Sequence, residues 1–322
     1  MVEQALLERF PQQQHGAIDR VLISWRLLDQ GYVHHAQIGS NKNSRQESHS
    51  YFPGLTVQEF WNDHQQPAWC DQLAALYPQI RAELDAVLAV QQSQQSQQQT
   101  DEWAGALSDD AAAYGPGWKT LVLLHRGLWH TSHVTDLFPV TSRLLHDLDD
   151  LPAVEIFFAQ MDPQSTIQRH SDFTSFVLTC HLGLDIPTNG ECTLTVGDTT
   201  VAWDNGNVLL FDTSIHHAAQ NTSPDRVRTI LMLRVWHPDV TAIEREALQF
   251  IYDVLECPEL IDPDPAVRRE AEQALQKAKV FPLAAGIVNN NKTKKGGFGA
   301  ARTATNSRGG GKKLKSKRKR RS

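Results

Sequence analysis

Between Val154 and Trp236 the sequence is built from short runs of Val, Ile, Leu, Phe and Thr, broken by Asn189-Gly190, Gly197-Asp198, Asn205-Gly206 and Ser223-Pro224-Asp225. Apolar runs of that length bounded by turn-forming residues read as β-strands. About seven or eight strands fit into this section, which leaves no room for the crossovers of a dozen or more residues that parallel strands require. The expected architecture is therefore an antiparallel sandwich, jelly roll or small barrel, not a βαβ fold. With 40% hydrophobic and 21% charged residues over 322 positions, the chain has the composition to bury a sizeable core.

The flanks carry a different period. Ile18, Val21, Leu22, Trp25 and Leu28 recur at spacings of three and four, predicting an amphipathic helix over 14–30 that ends near Gly31. A polar loop is expected from Gly39 to Ser50, then a turn at Pro53-Gly54 and helices over Val57–Asp63 and Cys70–Val90. The second of these aligns Leu73, Leu76, Ile80, Leu84 and Leu88. The run from Gln91 to Gln99 has nothing to bury and reads as an exposed insertion. After His237-Pro238 a helix is predicted over Thr241–Leu255, and Asp264-Pro265 supplies an N-cap and first-turn proline for another that ends near Lys279.

Charge is distributed unevenly. Residues 292–322 hold 13 of the 31 Lys and Arg and no acid, so the remaining chain, with 18 basic against 37 acidic residues, carries −19. Lys312–Ser322 follows three glycines and has too few apolar groups to offset the entropy of ordering; it reads as a disordered basic tail. Such a run suits a nuclear-import signal, weak contact with nucleic acid or attraction to an anionic surface. No stretch approaches the roughly 20 apolar residues of a membrane helix. The N-terminus lacks the basic start and apolar centre of a secretory signal. Cys70, Cys180, Cys192 and Cys257 form no CxxC pair and no dense disulfide framework, which fits a reducing, intracellular setting, nuclear if the tail is read as an import signal and otherwise cytoplasmic.

The β section also holds the residues with metal chemistry. His170-Ser-Asp172 places an imidazole and a carboxylate two apart, on one face of an extended strand. His216-His217 follows on a later strand. Two histidines and one carboxylate with the other positions open form the facial triad of non-haem Fe(II) oxygenases. Arg228 lies among Thr, Ile, Leu and Met, where a planar guanidinium should find an anion, and a carboxylate matches its fork. HxD alone is common by chance; the order HxD, His, Arg within one dense β section is far more specific.

These residues resemble the aspartyl/asparaginyl β-hydroxylases. The resemblance rests on His170, His181-Leu-Gly-Leu184, Pro187, Trp203, Gly206, Phe211-Asp212-x-Ser214-x-x-His217, Asn221, Arg228 and Val235-Trp-His-Pro238, with Pro53-Gly-Leu55, Trp118 and Pro139-x-Thr141 upstream. It covers roughly residues 51–250. It implies a mainly β core, a double-stranded β-helix of the jelly-roll or cupin-like kind, with flanking N- and C-terminal helices. It also implies Fe(II) as metal and 2-oxoglutarate and O2 as co-substrates. His170 and His217 match the iron-binding histidines, the spacing from Phe211-Asp212 selecting His217 over His216; His181 and Arg228 match residues that hold 2-oxoglutarate. Asp172 stands where the animal endoplasmic-reticulum enzyme has glycine, so a complete His170, Asp172, His217 triad is expected. Val177 and Thr179 replace two arginines that the animal enzyme uses near substrate and 2-oxoglutarate, so the resemblance implies neither its handling of the 1-carboxylate nor an acidic peptide substrate; the family's Pro-Gly before the first ligand is Pro163-Gln164 here. Trp118, Phe173 and Phe176 are expected to pack the core, with lining of the substrate side as the alternative.

The implied organisation is an N-terminal helix and polar loop over 1–50, a dioxygenase domain over 51–256 with its β core at about 154–238, a C-terminal helix over 257–288 and the basic tail from 289. The expected activity is hydroxylation of a protein or peptide side chain, most simply Asp or Asn. Two alternatives are a hydroxylase of a lipid or small molecule and a catalytically idle scaffold with a nucleic-acid-binding tail.

Overall fold

The computed structural model describes residues 1–39, 44–61, 66–94, 103–105, 111–187 and 190–282; the basic tail lies outside them. In chain order come α1 (Val2–Arg9), a 3-10 segment (Gln12–Ile18), α2 (Asp19–Asp29), β1 (His34–Gln37), β2 (Arg45–Ser48), β3 (Phe60–Trp61), α3 (Ala68–Ala75), α4 (Tyr77–Gln94), α5 (Ala111–Tyr114), β4 (Trp118–His125), β5 (Leu128–Trp129) and α6 (Pro139–His146). Then follow β6 (Ala153–Met161), β7 (Ser165–His170), β8 (Val177–Asp185), β9 (Cys192–Val196), β10 (Thr199–Ala202), β11 (Val208–Phe211), β12 (His217–Asn221), β13 (Arg228–Trp236), α7 (Ala242–Glu256) and α8 (Pro265–Ala278).

The eight strands β6 to β13 occupy the stretch whose texture predicted them. They divide between two antiparallel sheets, a seven-stranded one ordered β3-β11-β8-β13-β6-β4-β5 and a four-stranded one ordered β10-β9-β12-β7. The sheets face one another across Trp118, Met161, Ile230 and Met232 on the larger side and Ile167, Leu194, Val196 and Ala219 on the smaller. Behind the larger sheet, Leu121, Leu123, Ile156 and Phe158 pack on Leu73 of α3, Ile80 and Leu84 of α4 and Leu145 of α6. Each such fully buried aliphatic side chain contributes about 1.5–3 kcal/mol. A third cluster joins Leu6, Ile18, Val21 and Leu22 from the N-terminal helices to Ala247, Phe250 and Val254 of α7 and Ala271 of α8. Thr241 and Glu244 close a capping box on α7, and the Asp264 carboxylate accepts from Ala266 N–H at the start of α8, the N-cap that the sequence predicts.

Five expectations are corrected. The polar stretch after Gly39 is not all loop: β1 and β2 pair antiparallel, His34 opposite Ser48. Val57–Asp63 is not a helix; Phe60 and Trp61 form an edge strand paired with β11. Phe60 faces the intersheet core while Trp61 joins the cluster behind the sheet, so a period of two is satisfied where the sparse apolar residues mimicked a helix. Cys70–Val90 is two helices divided at Leu76, because Pro78 has no N–H and its ring collides with the carbonyl four residues back in a continuous helix. The Gln-rich run is not an insertion from its start, since Gln91–Gln94 completes α4; 95–99 lie outside the described residues. The β region also begins earlier than 154, because β4 at Trp118–His125 pairs with β6 inside the same sheet.

Candidate metal centre

The site forms where the two sheets face each other. His170 closes β7 and His217 opens β12, and the two are direct partners across that strand pair. Asp172 lies just past β7, its N–H donating to Thr213 O (2.8 Å). That bond ties it to the turn preceding β12. Inside the turn the Asp212 carboxylate accepts from Ser214 N–H (2.8 Å) and Ser214 Oγ–H (2.6 Å), and Gln46 Nε2 of β2 donates to Ser214 Oγ. Burial lifts the Asp212 carboxyl to about 7, against the pull of the Ser214 bonds. The Phe211-Asp212-x-Ser214-x-x-His217 string therefore encodes a braced turn that fixes where His217 begins its strand.

Ligand atoms of His170, Asp172 and His217 all lie within 4.8 Å of one another. His170 Nδ1 lies 2.7 Å from Gln168 O, and His217 Nδ1 3.0 Å from Ile215 O. Carbonyls only accept, so both Nδ1 atoms carry protons and both Nε2 lone pairs turn toward Asp172 Oδ1, at 3.4 and 3.7 Å. Burial drives the His217 imidazole down to about 4, so it is neutral at physiological pH. Burial pushes the Asp172 carboxyl upward, but the Arg234 guanidinium outweighs it and holds the group ionised, well below the usual carboxylate range. Three lone-pair donors, two imidazole and one carboxylate, converge with no proton between them. Such a set suits a divalent cation and matches the 2-His-1-carboxylate architecture of Fe(II)/2-oxoglutarate sites.

Asp172 is held from both sides. Tyr114 O–H of α5 donates to Oδ1 (3.2 Å) and Arg234 of β13 donates to Oδ2 (3.2 Å). Neither residue was among the sequence candidates. Arg234 carries a signal that could have found it, because like Arg228 it is a charge on a strand buried on both faces. Tyr114 carries none, since only the folded chain brings it to the triad. His216 points the other way, its Nε2 3.3 Å from Glu47 Oε2 of β2.

Deeper in the same cavity lie His181 of β8 and Arg228 of β13. Arg228 is 1% exposed, and none of its guanidinium nitrogens has a hydrogen-bond partner among the described residues. Its charge instead sits 4.6 Å from the Trp203 ring and 5.4 Å from that of Trp118. Burial lowers its pKa from the ordinary 12.5 to about 10. His181 Nδ1 accepts from Trp203 Nε1–H (3.3 Å), which leaves the proton on its buried, unpartnered Nε2. Burial keeps this imidazole well below its usual pKa, and so neutral. A cavity that keeps a guanidinium and an imidazole N–H unmatched is built for an anion with several acceptor atoms.

Other signature residues serve the scaffold. Asn221 Nδ2 donates to Met161 O, Asp162 O and Arg226 O, fastening the end of β12 to the turn that delivers Arg228. His237 Nε2 binds Thr56 O (2.9 Å). Gln164, where the family has glycine, sits in the left-handed region at φ 53° and donates from Nε2 to Thr222 O. Trp118 lines the cavity and Phe176 an adjoining groove, so these two do more than fill the core. Phe173, at φ 62°, tilts against His49.

The sequence pattern described for aspartyl/asparaginyl β-hydroxylase matches residues 74–238, just over half of the chain. Aspartate β-hydroxylase domain-containing protein 2 of Xenopus tropicalis and of human are each 36% identical over 141 residues, 42% of this chain and 37% of theirs. Human aspartyl/asparaginyl β-hydroxylase is 34% identical over 97 residues, 30% of this chain and 12% of its own length. The chain thus matches little more than a third of the length of the first two relatives. Because the matched span contains the whole triad together with His181, Arg228 and the turn that positions His217, the chain belongs to the aspartyl/asparaginyl β-hydroxylase family.

Proposed function

We propose that this protein is an Fe(II)- and 2-oxoglutarate-dependent dioxygenase that hydroxylates a side chain of a protein or peptide, with β-hydroxylation of the Asp/Asn type as its reaction. The observation that carries the reading is the buried Arg228, a fixed cation without a hydrogen-bonding partner among the described residues, in the cavity that also holds three convergent metal donors. His170, Asp172 and His217 would hold the metal. Arg228 would take the distal carboxylate of 2-oxoglutarate, and the His181 Nε2–H would donate to the same molecule. Once bound, Fe(II) and 2-oxoglutarate supply the oxidising chemistry, in which O2 is consumed, succinate and CO2 are released and one oxygen atom reaches the substrate. The chain's own residues orient these groups and exclude water: Trp118 and Trp203 wall off Arg228, while Arg234 and Tyr114 fix the Asp172 carboxylate.

The two facing sheets are read as a double-stranded β-helix, and residues 51–256 as the catalytic domain between an N-terminal helical segment (1–50) and a C-terminal helical extension (257–288). Among the described residues no helix is long and apolar enough to cross a membrane. The basic tail at 289–322 is kept as a proposed nuclear-import or nucleic-acid-contact segment; a reporter fused to Lys312–Ser322 that stays diffuse throughout the cell would remove the import reading. The catalytic reading is tested by anaerobic Fe(II) titration with 2-oxoglutarate, followed by the visible metal-to-ligand charge-transfer band. A band in the wild type that weakens in Arg228→Met and in Asp172→Ala supports it. Folded wild-type protein that gives no band removes it and favours an idle scaffold.

A further inference from the structure

Beside the metal cavity, and sharing Tyr114, Trp118, Asp172 and Met232 with it, runs an open groove of about 580 Å³ along the inner face of the seven-stranded sheet. Thr120, Val122 and Phe157 form its floor, and Phe176, Tyr252 and Leu255 its far walls. It exists because β4, β6 and β13 extend beyond the smaller sheet, leaving part of the face uncovered next to the triad.

Among the described residues every charge along this groove is already matched. Arg234, with 18% of its side chain exposed, lies 3.2 Å from Asp172 Oδ2 and 3.8 Å from Glu155 Oε2. Glu155 is also 3.0 Å from His125 Nδ1. At the far end, Arg126 pairs with Glu256 (2.8 Å) and lies over the Tyr252 ring. With Fe(II) and doubly ionised 2-oxoglutarate in place, the cations Arg228 and Arg234 balance the carboxylates of Asp172 and Glu155. A substrate carboxylate would then be an extra, unbalanced charge in a partly desolvated site. No relief comes from Val177, which lines the groove, or from Thr179, which spends its hydroxyl on Thr213 (3.3 Å). The segments nearest α5 in sequence that lie outside the described residues, 95–102 and 106–110, contain no Lys or Arg. Hydroxyls of Ser50, Thr120 and Thr174 are spaced among the apolar side chains. A peptide backbone can use them, whereas an alkyl chain would leave them unmet.

Resting on the function proposed above, we infer that the groove takes an extended peptide whose reacting side chain is uncharged, asparagine in preference to aspartate, flanked by apolar residues. The test incubates iron-loaded, full-length protein with 2-oxoglutarate and O2 and either of two synthetic peptide libraries. These are randomised around a central Asn or a central Asp, and the mass of one added oxygen is located by fragmentation. Labelling of the Asn library at least about tenfold above the Asp library is expected, and Glu155→Gln, which releases part of Arg234, should narrow that ratio. Equal labelling, or more in the Asp library, overturns the inference. So does labelling of neither library by protein whose charge-transfer band is intact, or preferential oxidation of a saturated fatty-acyl amide run in parallel; both outcomes leave the cofactor reading standing. Absence of the band itself removes the cofactor reading and this inference with it.

Discussion

Replacing Arg228 with methionine should act in opposite directions on the ligand-free and the 2-oxoglutarate-bound protein. Burial depresses the guanidinium from 12.5 to about 10, equivalent to roughly 3 kcal/mol of disfavoured charge. Because the folded value lies below the unfolded one, this penalty is present at every pH below about 10 and is relieved only as pH rises from there toward 12.5. At pH 7 it acts in full. The rings of Trp203 and Trp118 return about 1–2 kcal/mol through cation–π attraction. The net penalty is then on the order of 1–2 kcal/mol. Arg228→Met, of similar volume, should raise the unfolding midpoint of ligand-free protein by roughly 2–5 °C. The same change removes charge-assisted hydrogen bonds to the distal carboxylate, worth about 1.5–3 kcal/mol, and should weaken 2-oxoglutarate binding roughly 10- to 150-fold. Scanning calorimetry with Mn(II) in place of Fe(II), with and without 2-oxoglutarate, measures both effects. A variant less stable than wild type without ligand, yet keeping the full ligand-induced shift, would refute the assignment of Arg228 as an anion receptor.

Three further outcomes are expected. Arg234→Met should lower Mn(II) affinity roughly 10- to 100-fold by releasing Asp172 Oδ2, as removal of residues that orient metal ligands generally does; titration calorimetry showing unchanged affinity would rule out a positioning role. Since burial holds His217 near 4, and Asp172 stays ionised through Arg234 despite its own burial, no proton has to leave either group at neutral pH. These two ligands should therefore impose no pH dependence on Mn(II) affinity from about pH 8 to 6, and a decline below about 5 as their proton-free forms are lost; a tenfold fall between pH 8 and 6.5 would contradict this. Gly183→Ala should destabilise the fold by at least about 2 kcal/mol, because the added Cβ would collide with the Asp204 backbone carbonyl oxygen in the turn between β10 and β11. Chemical denaturation showing a near-neutral effect would mean that this loop yields freely.

Legibility in the sequence followed the range of the interactions. The helix over Ala242–Glu256 could be bounded in advance because Thr241 and Glu244 cap it locally. The strands from 153 to 236 could be placed because turn chemistry and β-branched runs are local signals. Phe60–Trp61 could not, since what makes them a strand is pairing with β11 some 150 residues on. The triad was visible as types and spacing, and the choice of His217 over His216 followed from the motif ahead of it. Tyr114 and Arg234 were not, because each reaches Asp172 from a distant element.

The sequence by itself determined the chemistry available: two imidazoles on strands, a carboxylate two residues beyond the first of them, and a guanidinium in an apolar run. Only the tertiary structure decided how those groups are used. Stacking the two sheets buried Arg228 without a hydrogen-bonding partner among the described residues and brought His170, Asp172 and His217 within one ion's reach. Extension of the larger sheet past the smaller left a charge-matched groove beside them. Burial and convergence depend on elements far apart in the chain, and no local pattern of residues encodes them.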